Sequence, residues 1–298
     1  MITSGGMSIF LEKINERTAI LFFCILLTEA VFCQKIKNEN SKHDAHQVTL
    51  YSSAGIEYSE ITAHKSSFLG DNSISVLKIN PAFFDFKLIC TSENHQLKTA
   101  VEWSKNLSLN IIFNAGMYNL KNKITHRFFL KNFKHMNNPH LSENINGVVA
   151  FNPTLSHFPK CQLFDLSLDN WEYINKSYHT IFQGLRMIDC NGQPVYWTNN
   201  NQFCSMLILA QDKTNNIYLI FSRSPYTQNQ MIDNLMKLPY ELINAIYLEG
   251  GTRANFVFIN EDINVKKMGS YVSKYNPNDN NQKFYPFPNF VGLKALEK

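Results

Sequence analysis

A long series of short strand-like runs, with little helical periodicity between them, limits what this chain can fold into. Each run is rich in β-branched and aromatic residues, as is typical of strands. The runs lie at 73–79, 83–90, 109–113, 147–151, 180–188, 194–197, 205–211, 217–222, 245–248 and 255–259. Helical spacing is confined to 96–105 and to about 228–238, where Pro239 ends the pattern. Many strands with few helices predict an α+β fold, built on a many-stranded, twisted, mixed or antiparallel sheet with a few flanking helices.

The same stretch shows no internal repeat and no linker, which indicates a single domain. Of its 298 residues, 44% are hydrophobic, which is enough to fill one large core. The polar segment 34–47, which includes KIKNENSKHDAHQ, is typical of a flexible lead-in. The sequence therefore predicts one domain over residues 48–298.

The N-terminus has the pattern of a secretory signal peptide. A weakly basic segment precedes the apolar run Ala19–Leu27, which is shorter than the roughly 20 residues that a membrane span needs. We expect residues 1–33 to be cleaved before Gln34, leaving no stable membrane span. The predicted location is extracytoplasmic, either periplasmic or secreted. An uncleaved membrane anchor and a lipid anchor on Cys33 are the alternatives.

The charge pattern argues against nucleic acid as a partner. The formal net charge is +4 and only 17% of the residues are charged, with no dense Lys/Arg stripe of the kind that nucleic-acid grooves use. The weakly charged, asparagine-rich composition is better suited to sugars.

Four cysteines remain after the predicted cleavage: Cys90, Cys161, Cys190 and Cys204. In an oxidising compartment they could form two disulfides in three possible connectivities. Buried free thiols are an equal alternative, since a domain of this size does not need cross-links. Their spacing does not match that of a zinc site.

Two strand-like runs end in short polar, glycine-containing segments. Glu249-Gly250-Gly251 follows the run 245–248, and Asn114-Ala115-Gly116 follows the run 109–113. Glycine permits positive φ and close approach of a ligand, and strand ends commonly display binding groups. The alternative is an ordinary bulge or turn in both places.

Two arginines interrupt otherwise apolar runs, Arg186 in QGLRM and Arg223 in FSRSP. A guanidinium group matches phosphate oxygens, so the pair predicts an anion site. Two solvated arginines are the alternative. The sequence contains neither GxSxG nor a glycine-rich phosphate loop, so serine-hydrolase and nucleotide chemistry have no support.

Five segments, in fixed order from about Ile56 to Phe258, resemble the phosphodiester glycosidase family, and in particular its secreted bacterial branch. The best-known members are the "uncovering enzymes", N-acetylglucosamine-1-phosphodiester alpha-N-acetylglucosaminidases. The segments are ISVLKINPAFFDFKL at 74–88, FNAGMYN at 113–119, QGLRMID at 183–189, IYLIFSRSPYT at 217–227 and YLEGGTRANFVF at 247–258. Thr252 and Arg253 stand where the uncovering enzymes have Gly and Ser.

The resemblance implies a secreted hydrolase that cleaves a sugar-1-phosphate phosphodiester in a glycan or envelope glycopolymer. A non-catalytic module that binds a glycan or phosphoglycan is the alternative, and a structural or adhesion role is a third.

The implied site has two kinds of residue. The predicted catalytic residues are Glu249, as base or charge stabiliser, and Asp189, as a second carboxylate. The predicted substrate-binding residues are Asn114, Gly116, Arg186, Arg223, Gly250, Gly251, Thr252 and Arg253, with the arginines on phosphate. No cofactor is expected, and a divalent cation such as Ca²⁺ on oxygens of Glu249 and Asn114 is the alternative.

Overall fold

The computed structural model describes residues 46–297. The predicted signal peptide and almost all of the predicted lead-in lie outside these residues. The described strands are β1 (Gln47–Ser53), β2 (Ile56–Thr62), β3 (Ser73–Ile79), β4 (Phe84–Cys90), β5 (Ile111–Asn114), β6 (Leu130–Asn132), β7 (His135–Asn138), β8 (Gly147–Pro153), β9 (Cys161–Asp165), β10 (Tyr178–Ile188), β11 (Cys204–Asp212), β12 (Ile217–Tyr226), β13 (Leu242–Gly250), β14 (Asn255–Ile259), β15 (Asn264–Met268) and β16 (Asn289–Ala295). The described helices are α1 (Thr91–Asn94), α2 (Ala100–Leu107), α3 (Trp171–Ser177) and α4 (Gln228–Leu235).

These strands form two sheets, and every described strand pair is antiparallel. The larger sheet has the order β1-β2-β3-β12-β11-β13-β10-β6-β7, with β8 added against β10 and β9 against β8. The smaller sheet has the order β15-β14-β5-β16-β4. The α+β prediction is confirmed, although the strands divide between two sheets.

Apolar side chains alternate along the central strands, so each sheet has an apolar face. The apolar face of the large sheet packs against that of the small sheet. Ile246 and Leu248 of β13 join Phe113 of β5 and Phe256 of β14 in one buried cluster between the sheets. Because successive side chains in a strand point to opposite faces, the residues between them belong to the other side. Tyr247 of β13 accordingly joins a second cluster, beneath α4, on the outer face of the large sheet.

Local capping explains where the predicted helices begin. Thr99 accepts a hydrogen bond from the backbone of Glu102, whose side chain bonds back to Thr99, so α2 starts at Ala100 rather than at Gln96. Thr227 and Gln230 form the same reciprocal arrangement at the start of α4. The apolar side chains of α4, including Met231 and Leu235, are fully buried.

Most of the predicted strands are present, with two kinds of difference. The run 194–197 forms only an isolated bridge, between Pro194 and Ile188, because the segment around it is a turn. The strands that were not predicted include the short β6 and β7 and the largely exposed β1, whose residues carry a weak apolar signal.

The four cysteines of the described residues form no disulfide. Cys90, Cys161, Cys190 and Cys204 are free thiols, and all but Cys190 are buried.

Between residues 46 and 297, no helix combines the length and apolar character needed to cross a membrane.

Candidate active site

A cavity of about 500 Å³ opens at the end of β13 and contains Glu249. Strand β13 lies between β10 and β11 in the large sheet, so its end is held on both sides. Tyr247 and Glu249 of β13 both line the cavity, and the pairing of β13 with β11 shifts its register between them. A volume of this size suits a small ligand such as a sugar ring with its substituent.

The Glu249 carboxyl group is partly buried and has few partners. Its Oε1 atom accepts a hydrogen bond of 3.0 Å from the backbone N–H of Gly250. Burial raises the pKa of Glu249 to about 7, while the Gly250 amide and the positive charges of Arg253 and Arg127 act in the opposite direction. A carboxyl group with this pKa exists in both protonation states near neutral pH, as a general acid or base requires.

Tyr247 and Cys204 share a hydrogen bond beside this carboxyl group. Burial raises the pKa of the Cys204 thiol to about 12 and that of the Tyr247 phenol well above its ordinary value. Both groups are therefore neutral near pH 7. Cys204, at 3% exposure, lacks the thiolate that a nucleophile needs.

The glycines after Glu249 are required by close contacts. A Cβ atom on Gly250 would lie 2.2 Å from the Tyr247 hydroxyl, and one on Gly251 would lie 2.8 Å from Val272. Gly251 also has φ +61° and starts a single 3-10 turn, Gly251–Arg253. The turn brings Thr252 and Arg253, two of the predicted substrate-binding residues, to the cavity.

Arg253 and Arg127 are the two cations of the cavity. The Arg253 guanidinium lies 4.7 Å from the ring centre of Tyr285 and donates to the Pro286 carbonyl at 3.1 Å. Arg127 is exposed and lies over the ring of Phe128 at 5.5 Å. Within residues 46–297 neither arginine forms an ion pair, so both charges are available to an anionic ligand.

Arg127 reaches the cavity through the segment that follows β5. Its backbone N–H donates to the Met117 carbonyl at 2.8 Å, and Tyr118 forms an isolated antiparallel β-bridge with His126. Met117, Tyr118 and Arg127 all line the cavity. The chain from 117 to 127 thus returns on itself beside Glu249.

Asn114 and Gly116, which the sequence predicts at the site, lie behind the residues that form the cavity wall. Asn114 is fully buried, and its Oδ1 atom accepts from the Asn255 backbone N–H at 2.9 Å. Gly116 has φ +84°, and a Cβ there would lie 2.6 Å from Nε2 of His126, a buried imidazole whose pKa burial lowers to about 4. Neither residue is among those that line the cavity.

The structure does not bring Arg186 or Arg223 to Glu249. Arg186 of β10 lies opposite Ile246 of β13, on the face of the large sheet that does not carry Tyr247. Its Nη1 atom pairs with the buried carboxylate of Asp165 and donates to Ser167 Oγ at 2.9 Å. Arg223 Nε lies 2.7 Å from Asp279 Oδ1, and its Nη atoms donate to the carbonyls of Met268, Asp279 and Asn281. Both guanidinium groups thus pair with a carboxylate of the protein itself.

Asp189 also lies elsewhere, in a turn. Its Oδ1 atom accepts from the backbone N–H groups of Asn191 at 2.9 Å and Gln193 at 2.8 Å. Among the described residues that line the cavity, Glu249 is the one carboxylic acid. The described residues also include no cluster of three or more His, Cys, Asp or Glu side chains that could hold a metal ion.

Sequence reasoning missed Arg127, Tyr247 and Gln228, which all line the cavity. Strand alternation could have identified Tyr247, which lies two residues before Glu249 on the same strand. Arg127 carries no such signal, because a loop brings it to the site.

Comparison with known proteins relates this fold to one family. The sequence profile described as "Phosphodiester glycosidase" matches residues 108–294, which excludes the segment 74–88. No curated protein sequence matches the chain.

Two solved structures resemble the chain at low sequence identity. The crystal structure of a hypothetical protein from Synechocystis has a TM-score of 0.55 and 10% identity, over 84% of this chain and 64% of that one. This chain therefore spans less than two thirds of the Synechocystis chain, and the likeness supports the fold alone. The zebrafish N-acetylglucosamine-1-phosphodiester alpha-N-acetylglucosaminidase catalytic domain, auto-inhibited by its pro-peptide, has a TM-score of 0.48 and 13% identity, over 86% of this chain and 89% of that one.

Proposed function

The chain belongs to the phosphodiester glycosidase family, and on that premise we propose that it hydrolyses a sugar-1-phosphate phosphodiester in the cavity around Glu249. The family supports a glycosyl phosphodiester as substrate class. The observation that carries the proposal for this chain is one carboxyl group with a pKa near 7, in a cavity with two arginines that form no ion pair among the described residues.

A single carboxyl group is sufficient for this reaction because of its leaving group. An ordinary glycoside expels an alcohol and needs a general acid, which is why most glycosidases use two carboxyl groups. A phosphate monoester has a second pKa of about 6 and leaves as a stable anion at neutral pH. The position of Asp189 outside the cavity is therefore compatible with catalysis.

The proposed step is attack of water on C1 of the sugar. The ionised Glu249 carboxylate accepts a proton from that water as the bond between C1 and the phosphate oxygen breaks. The electron pair of that bond stays with the oxygen, and Arg127 and Arg253 stabilise the phosphate monoester that departs. The products are a free sugar and a phosphate monoester, and Glu249 then releases its proton to solvent.

The experiment is hydrolysis of a panel of glycosyl-1-phosphodiesters by the purified full chain, followed as release of reducing sugar. Glu249→Gln is expected to lower kcat by about 10²- to 10⁴-fold, the usual contribution of a general base. Asp189→Asn, a matched carboxylate-to-amide change outside the cavity, is expected to retain wild-type activity. Equal rates for wild type and Glu249→Gln would refute the role of Glu249. Binding without release from any member of the panel would favour a phosphoglycan-binding module.

The cellular setting of this activity is also a proposal. The pattern of residues 1–33 supports secretion or a periplasmic location, where an envelope glycopolymer or a phosphorylated glycan would be the substrate.

A further inference from the structure

Gln228 lies in the same cavity with an unsatisfied side chain. It is the first residue of α4 and lines the cavity with Glu249. Only 8% of it is exposed, and its Oε1 atom has no hydrogen-bond partner within residues 46–297. Buried amide oxygens are nearly always hydrogen-bonded, because leaving one unpaired is costly. The Gln228 side chain lines the cavity, and because the amide end of a glutamine turns easily about its last bond, a ligand that enters can provide the missing partner.

The backbone of Gln228 is held in place at the start of α4, beside the cavity. Thr227 and Gln230 fix the start of α4 through their reciprocal hydrogen bonds. The next residue, Asn229, accepts from the Trp197 backbone N–H at 2.8 Å and donates to the Trp197 carbonyl at 3.1 Å. The Gln228 side chain therefore extends along the cavity wall from a backbone whose position is fixed.

Several other residues of the cavity wall are apolar or aromatic, including Met117, Tyr118 and Val272. A sugar ring has apolar C–H faces and a rim of hydroxyl groups, so it fits a pocket with apolar walls and a few fixed polar groups. Hydroxyl groups both donate and accept hydrogen bonds. One sugar hydroxyl could therefore satisfy the orphaned amide of Gln228.

We propose that Gln228 is a specificity-determining residue that binds one ring substituent of the sugar, a hydroxyl or an amide N–H, while Glu249 acts at C1. This inference rests on the proposed function. It adds a requirement on the substrate: the sugar carries a hydrogen-bond donor at the ring position that faces Gln228. A sugar that lacks this donor leaves the amide unpaired and is rejected.

The test compares wild type with Gln228→Met, which keeps the length of the side chain and removes its hydrogen bonds. Gln193→Met is the matched control, since Gln193 is an exposed glutamine in the turn after β10 and lies outside the cavity. The probes are one glycosyl-1-phosphodiester and its single-position analogues, each lacking one ring hydroxyl or amide. Both kcat and KM are measured, and thermal unfolding reports whether each variant is folded.

We expect Gln228→Met to lower kcat/KM for the complete sugar by about ten- to a hundredfold, the range of a lost buried hydrogen bond. One analogue should show a similar loss with wild type and no further loss with Gln228→Met. A merely structural role would lower activity equally for all analogues. Comparison of the analogues with wild type alone tests the inference even if the variant does not fold.

The outcomes separate this inference from the proposed function. Hydrolysis with equal kcat/KM for all analogues by wild type would overturn the role of Gln228 and leave the proposed function standing. If wild type does not hydrolyse them, calorimetric binding of the same glycosyl-1-phosphodiesters gives the comparison. Weaker binding by Gln228→Met would then support the subsite while rejecting hydrolysis. No binding by wild type would overturn both.

Discussion

Replacing Glu249 by Gln should stabilise the folded protein at neutral pH, although it should lower the proposed hydrolytic activity. The ionised carboxylate is held in a partly buried cavity, and burial raises its pKa from 4.5 to about 7. Each pH unit between the folded and unfolded pKa values corresponds to about 1.4 kcal/mol, so the charge costs the native state about 3 kcal/mol. The uncharged amide that the Glu249→Gln change introduces does not carry this cost.

The stability difference between wild type and Glu249→Gln depends on pH, and its sign follows from which state ionises first. Below about pH 4.5 the carboxyl group is protonated in both the folded and the unfolded states, and its charge costs nothing. Between 4.5 and about 7 the unfolded chain ionises first, so the wild type loses stability relative to Glu249→Gln as the pH rises. Above that range the difference remains constant.

Urea unfolding of both proteins at about pH 4 and pH 8 measures the difference in free energy of unfolding at each pH. Other titrating groups contribute equally to wild type and variant, so they cancel in this comparison. The gap should widen by about 3 kcal/mol in favour of Glu249→Gln between the two pH values. A gap that does not change with pH, or one that widens in favour of wild type, would refute the assignment of a raised pKa to Glu249.

Three further predictions follow from the same contacts. Arg127→Gln and Arg253→Gln should each lower kcat/KM for a glycosyl phosphodiester by about ten- to a hundredfold. Each should also shift the rise of the pH–rate profile to higher pH, because each removes a positive charge that lowers the Glu249 pKa. An unchanged profile in both variants would contradict this electrostatic role. Arg186→Met should destabilise the fold by about 3 kcal/mol in urea unfolding, because it leaves the Asp165 carboxylate buried without its partner. The double variant Arg186→Met/Asp165→Leu should recover part of that loss, and no recovery would argue against an uncompensated charge as the cause. Arg223→Gln should increase hydrogen exchange in residues 269–283, because three backbone carbonyls around that loop lose their donor. Unchanged exchange there would show that other contacts hold the loop.

Several of the buried central strands could be predicted from the sequence, although the seven-residue strands β2 and β16 were not. Strand β3 was predicted with its observed bounds, because its apolar residues pack into the core. The division into two sheets could not be predicted, since it depends on pairings between distant strands such as β4 and β16. Short strands such as β6 carry too few residues for a period to be visible.

At the site, the strand-end motif Glu249-Gly250-Gly251 could be singled out from the sequence, and Glu249 and Gly250 line the cavity. Which arginines lie beside it depends on how distant segments of the chain fold together. The sequence marked Arg186 and Arg223 as unusual cations in apolar runs. It could not show that Asp165 and Asp279, from distant segments, pair with them in the folded protein. Arg127 lines the cavity instead, because the segment 117–127 folds back beside Glu249.

The central claim is that the bond between the sugar and the phosphate oxygen is the bond that breaks. Hydrolysis of a glycosyl-1-phosphodiester in water labelled with heavy oxygen, followed by mass spectrometry of both products, tests it most directly. Attack of water at C1 predicts that the label enters the free sugar and is absent from the phosphate monoester. Label in the phosphate would mean that water attacks phosphorus, which would contradict a glycosidase mechanism centred on Glu249.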